Sequence, residues 1–144
     1  MVHGTIGLRS IAATSWADKR LDVFAVASCN NNPMHKYWAT FNTVWNKSWE
    51  WPKAFREVSA PVAVANSTDK LDAVFIGIDG QIKHLAWNPG SANTELGGKF
   101  LGVTALVAVS AVRVDLFGVD QATSTIFTRF TADRRGKRLG SKSQ

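Results

Sequence analysis

Lys70-Leu71-Asp72-Ala73-Val74-Phe75-Ile76-Gly77-Ile78-Asp79-Gly80-Gln81-Ile82-Lys83-His84-Leu85-Ala86-Trp87 decides how this chain folds. Its first half carries β-branched and aromatic residues, which fit a pleated, half-buried surface. Asp79-Gly80 is a strong hairpin signal, because tight turns between twisted strands need residues that tolerate positive φ. Beyond the turn, Ile82, His84 and Ala86 share one face of a second strand, since side chains alternate with period two. The stretch therefore reads as two short antiparallel strands and a tight turn.

The pattern recurs on both sides. Arg20-Leu21-Asp22-Val23-Phe24 precedes His35-Lys36-Tyr37-Trp38, and Arg113-Val114-Asp115-Leu116-Phe117 precedes Phe127-Thr128-Arg129-Phe130. The aligned aspartates stand 50 and 43 positions apart. A period of about 40–50 residues with several short strands per unit belongs to propeller-type repeats, in which each unit is one blade. The expected architecture is all-β: about three four-stranded blades, near residues 10–58, 59–101 and 102–131, with the ring incomplete in one chain. Three blades leave exposed faces, because closed propellers typically need four to eight. Association of copies is one route to closure, six blades from two chains being the simplest.

Within these units the strands fall at 10–16, 21–27, 34–39, 61–65 with Pro61 at the strand start, 103–109, 114–119 and 126–130, besides the central pair. Asn30-Asn31-Asn32-Pro33 supplies a turn that accepts positive φ, and residues 51–58 have the composition of one helical turn. The third unit is the most degenerate, with Phe127 and Phe130 where the others carry His and Trp.

With 144 residues, 45% hydrophobic and 19% charged, the chain suits a folded domain with its own core. Much of the formal charge of +6 sits in Arg134, Arg135, Lys137, Arg138 and Lys142. Residues 132–144 are accordingly expected to form a disordered basic tail, and nucleic acid is not the expected partner. One cysteine, Cys29, excludes an internal disulfide and a thiolate metal site. No secretory leader is read in Met1-Val2-His3-Gly4-Thr5, and no run is long enough to span a bilayer as a helix. Location is left open between the cytoplasm and a non-classical export route.

Ser59-Ala60-Pro61, Leu71-Asp72, Asp79-Gly80, His84, Trp87 and Leu96-Gly97-Gly98 together resemble the β-propeller lectins of the Photorhabdus lectin type. The first unit joins the resemblance through Arg20-Leu21-Asp22-Val23-Phe24 and His35-Lys36-Tyr37-Trp38. The third joins only through Arg113 to Phe117. The resemblance covers about residues 10–130 and implies binding of L-fucose and related, including O-methylated, sugars at sites between neighbouring blades. Glycans are then the implied partners. Members of that family are seven-bladed rings, so this chain corresponds to less than half of one.

The candidate sugar-binding residues are His35, Trp38, His84, Trp87 and Trp49. Trp offers an apolar platform to a sugar C–H face, and His a donor or acceptor to hydroxyls. Their alternative is structural, Trp packing between blades and His capping a loop. Trp45, Trp49 and Trp51 form the densest aromatic cluster, and the resemblance places a Trp near Trp49 in the outer part of the blade, where packing is the expected use. Asp22, Asp72 and Asp115 read as structural acids that accept backbone donors once per blade. Catalytic residues, metal ligands and cofactors are not expected: the chain has no Gly-x-Ser-x-Gly elbow, no Cys–His signature and no phosphate-cradling glycine motif. The alternative to a lectin is a degenerate propeller fragment that serves as a structural or protein-interaction module.

Overall fold

Three antiparallel sheets follow one another along the chain in a computed structural model, which describes residues 8–39, 45–46, 48–50, 59–87, 94–110, 113–124, 126–132 and 142–143. The first contains β1 (Leu8–Thr14), β2 (Arg20–Ala27) and β3 (Pro33–Ala39) in that order. The second contains β4 (Val62–Ser67), β5 (Lys70–Ile76), β6 (Ile82–Trp87) and β7 (Thr94–Gly97). The third contains β8 (Phe100–Ser110), β9 (Arg113–Asp120), β10 (Ile126–Ala132) and the two-residue β11 (Lys142–Ser143). All are up-and-down meanders, and no helix occurs among the described residues. The all-β, blade-by-blade architecture agrees with the sequence reading.

Local chemistry explains the repeat. Each second hairpin starts its turn with a side-chain oxygen that accepts the amide two residues on: Asn30 from Asn32 at 3.1 Å, Asp79 from Gln81 at 3.0 Å and Asp120 from Ala122 at 2.9 Å. Such Asx turns fix the chain reversal without help from the core. Gly80 adopts φ +76°, which favours glycine at that place. Gly77 answers to packing, since the Lys83 side chain lies over it. A Cβ there would lie 2.6 Å from the Lys83 stem, which crosses it to reach Asp79 at 2.7 Å. The first hairpins reverse at Lys19 and Asp69, both near φ +58° and at equivalent positions.

Four strands were expected per blade. In the first sheet the fourth is reduced to two isolated bridges, His35 with Glu50 and Trp38 with Trp45. Residues Glu95 to Phe100 supply most of β7 and the start of β8. The proposed helical turn at 51–58 and Trp51 lie outside the described residues. Of the basic tail, Ala132 ends β10 and Lys142–Ser143 pair with Phe127 and Thr128.

The third sheet corrects a detail of the repeat. Thr128 lies opposite Phe117, as His35 lies opposite Phe24 and His84 opposite Val74. Thr131 lies opposite Val114, as Trp38 lies opposite Leu21 and Trp87 opposite Leu71. The third-unit counterparts of His and Trp are therefore Thr128 and Thr131, not Phe127 and Phe130. A difference of one residue in loop length displaces the sequence alignment, and only strand pairing restores it.

Each sheet has an aspartate face and an apolar face, and the two alternate along the central strand. Phe24, Val26 and Trp16 on the aspartate face of the first sheet pack against Leu71, Ala73, Phe75 and Leu85 on the apolar face of the second. Val74, Ile76 and Ile82 on the aspartate face of the second pack against Phe100, Leu116 and Leu106 of the third. Burying each large side chain contributes about 1.5–3 kcal/mol. Two seams of the same polarity thus hold the three sheets together, with β1 beside β4 and β4 beside β8.

Candidate functional site

The repeated aspartate is the natural starting point, because it opens each central strand beside a seam. In the first sheet, Asp22 accepts from Arg20 Nε at 2.8 Å and Arg20 Nη2 at 2.7 Å. Its Oδ1 also faces His35 Nε2 at 2.9 Å, while His35 Nδ1 faces Glu50 Oε2 at 3.2 Å. A ring that donates from both nitrogens satisfies both carboxylates. His35 is fully enclosed and stacks on Phe24 at 4.7 Å between centroids. The Arg20 guanidinium lies 3.9 Å from the Tyr37 ring centroid and 5.2 Å from that of Trp16, which adds cation–π attraction to the fork. Burial pushes the Asp22 carboxyl up, but the hydrogen bonds and charges of Arg20 and His35 outweigh it and hold the group below the usual carboxylate range.

The second sheet builds a looser version. Asp72 Oδ1 faces His84 Nε2 at 2.7 Å, and Asp72 Oδ2 accepts from Asn66 Nδ2 at 3.2 Å. Lys70 stands where Arg20 does. The His84 side chain keeps 14% of its surface exposed. Asn66 Oδ1 and Ser67 Oγ are buried acceptors with no partner among the described residues. In the third sheet Arg113 forks onto Asp115 at 2.8 and 2.9 Å, but its side chain is 43% exposed.

These contacts revise the reading of the aspartates. They are structural acids, as expected, yet the donors are arginine, histidine and asparagine side chains, not the backbone. Side-chain forks take the place of ladder amides because the strands' own N–H groups are engaged with neighbouring strands.

The tryptophans lie elsewhere. Trp38 is half-buried on the face opposite His35, in one row with Leu21 and Trp45. Trp45 is 41% exposed. Trp49 is half-buried with Lys36 Nζ 5.6 Å from its ring. Trp87 pairs with Leu71, which sets it on the face opposite His84. The structure therefore brings Trp38, Trp45, Trp49 and Lys36 together on one face of the first sheet. His35 and His84 belong to the two aspartate faces. Sequence reasoning missed Glu50, Tyr37 and Asn66. Tyr37 could have been suspected from its place two residues after His35, whereas Glu50 and Asn66 carry no such signal.

Among the described residues no group of three or more His, Cys, Asp or Glu could hold a metal ion. Among the same residues no helix is long and apolar enough to cross a membrane.

Comparison with known proteins places this geometry. No protein-family model matches the chain, and no curated protein does. A solved structure is similar: that of the SapL1 lectin in complex with alpha methyl fucoside, with a TM-score of 0.63 and 18% sequence identity. The match covers 98% of this chain and 47% of the lectin chain, so the chain spans about half the length of the protein it matches. At that identity the likeness carries the fold, which is lectin-like.

Proposed function

We propose that the protein binds carbohydrate without chemistry, recognising fucose-type sugars, L-fucose or O-methylated relatives, between or beside its blades. The observation that carries this reading is the His84–Asp72–Asn66 cluster at the second seam. It combines a part-exposed imidazole oriented by a carboxylate with the buried acceptors Asn66 Oδ1 and Ser67 Oγ, which have no partner among the described residues. Hydroxyl groups need convergent donors and acceptors held rigid by their surroundings. Trp38, Trp45 and Trp49 gather on the other face of the first sheet, where they form a separate candidate platform for a sugar C–H face. Trp87, three residues beyond His84 on β6 and at the register of Leu71, is a further candidate. His35 holds the equivalent place in the first sheet, where its ring is enclosed and engaged on both nitrogens, so it orders that blade and makes no sugar contact. The likeness to a lectin solved with alpha methyl fucoside supports the same class of ligand.

A second reading, a blade scaffold that contacts other proteins and has lost the sugar site, is favoured by one observation. The third sheet has Thr128 and Thr131 at the His and Trp register.

Retention on immobilised L-fucose separates the two. The lectin reading expects the protein to be retained and released by free fucose, and a His84→Ala/Trp87→Ala variant to flow through while still folded. Flow-through of folded wild-type protein would sink the fucose assignment.

A further inference from the structure

We infer that the tryptophan face of the first sheet takes an acidic pyranose, a sugar with a carboxylate on its ring, and that Lys36 is the counter-ion of that carboxylate. The inference rests on the carbohydrate reading above and adds a charge to the ligand.

Strand pairing builds the site. Lys36 and Trp38 alternate with His35 on β3, so both lie on the face away from Asp22. Glu50 pairs with His35 and sends its carboxylate to the aspartate face, which puts Trp49, one residue before it, on the side of Lys36. Lys36 Nζ accordingly stands 5.6 Å from the centre of the Trp49 ring. The bridge from Trp38 to Trp45 brings a third ring to the same face. The inner part of that face, with Val23, Ala25 and Met34, is buried within the chain. A ligand therefore meets only the outer part, where Trp45 is 41% exposed and Lys36, Trp38 and Trp49 are half-buried.

Charge selects the class of sugar. Among the described residues no acid lies in ion-pair range of Lys36, whose ammonium is held over a ring instead. Glu50, the acid nearest in the pairing, is committed to His35 on the other face. Two residues from Trp38 on one strand face, Lys36 is placed to meet a carboxylate at the edge of a sugar stacked on the neighbouring rings. Single-stranded nucleic acid also uses rings and cations, but its backbone calls for basic groups along a groove, and Lys36 is a single charge beside the rings.

Ligand-observed NMR titrations of the 144-residue chain test the proposal, comparing methyl glucuronide and methyl galacturonide with the methyl glucoside and galactoside that lack the carboxylate. The wild type is expected to bind at least one uronide about fivefold more tightly than its neutral parent at low salt, the ratio one part-exposed ion pair supplies. Lys36→Gln is expected to lose that preference and Lys36→Arg to keep it. Trp45→Ala is expected to weaken uronide and parent alike, because it removes platform and not charge. Four results overturn the proposal: no uronide binding, equal binding of uronides and parents, a preference that survives Lys36→Gln, or a DNA oligomer that outbinds both uronides and is lost in Trp45→Ala. Near-UV circular dichroism confirms folding of each variant, and Lys36→Met, which keeps the stem over Trp49, replaces Lys36→Gln if that variant loses structure. Retention on L-fucose is read on the same protein. Uronide binding without it removes the fucose reading and leaves this site standing, and retention with no uronide preference does the reverse.

Discussion

Asp22 and Asp115 occupy the same place in the repeat and hold the same arginine fork, yet their surroundings differ. Around Asp22 the fork is pressed between Trp16 and Tyr37, and the carboxylate also engages an enclosed His35 that reaches on to Glu50. Around Asp115 the arginine is 43% exposed, and a threonine takes the histidine register. One motif is therefore a buried network in the first sheet and, in the third, a buried carboxylate held by an arginine that stays largely in water. The second sheet lies between, with a histidine and an asparagine but no arginine. The difference teaches that a repeated acid has no fixed energetic value. Its worth depends on how far its partners are removed from water.

The largest effect is expected at the buried end. Asp22→Ala leaves Arg20 and His35 charged or polar without their acceptor, and should destabilise by about 3–5 kcal/mol in chemical denaturation. A loss below 1 kcal/mol would break the comparison. The same group sets a pH dependence. Its folded-state pKa is depressed, so its stabilisation is present above the ordinary aspartate value of about 3.9 and is lost as pH falls through the lower folded value. Denaturation midpoints measured between pH 5 and 2 should fall less steeply in Asp22→Asn than in the wild type.

Asp72→Ala should cost about 1–3 kcal/mol, the range for stranding part-buried hydrogen-bonding partners, and should also weaken retention on fucose by freeing the His84 ring. If retention is unchanged while stability falls, the cluster is structural alone. Thr128→His would place an imidazole opposite Phe117 in the third sheet, at the register from which His35 and His84 reach their aspartates. A gain of about 0.5–1.5 kcal/mol in thermal or chemical unfolding is expected if Asp115 accepts it, and none if it does not. Asp115→Ala is expected to cost least of the three aspartate changes, because the arginine it strands keeps much of its side chain in water.

Much of the fold was legible because hydrophobic alternation and turn chemistry are local. Asp79-Gly80, the Asn30–Asn32 loop and the strand runs after each Leu-Asp or Val-Asp state their own conformation. Less of the site was legible. Thr128 was misaligned because loop lengths differ by one residue, which a side-chain pattern cannot detect. Glu50 escaped because its bridge to His35 joins positions 15 residues apart with a turn between them. Trp38 and Trp49 could be named from the sequence, but not the fact that they share a face with exposed Trp45.

By itself the sequence determined three successive blades, their turns and a recurring acid at each central strand, since these follow from period-two alternation and backbone preferences within a few residues. Only the tertiary structure decided which acid is buried, which histidine is enclosed and which faces meet. Those outcomes depend on the removal of water between distant strands, and desolvation is a property of the packed seam, not of any single stretch of chain.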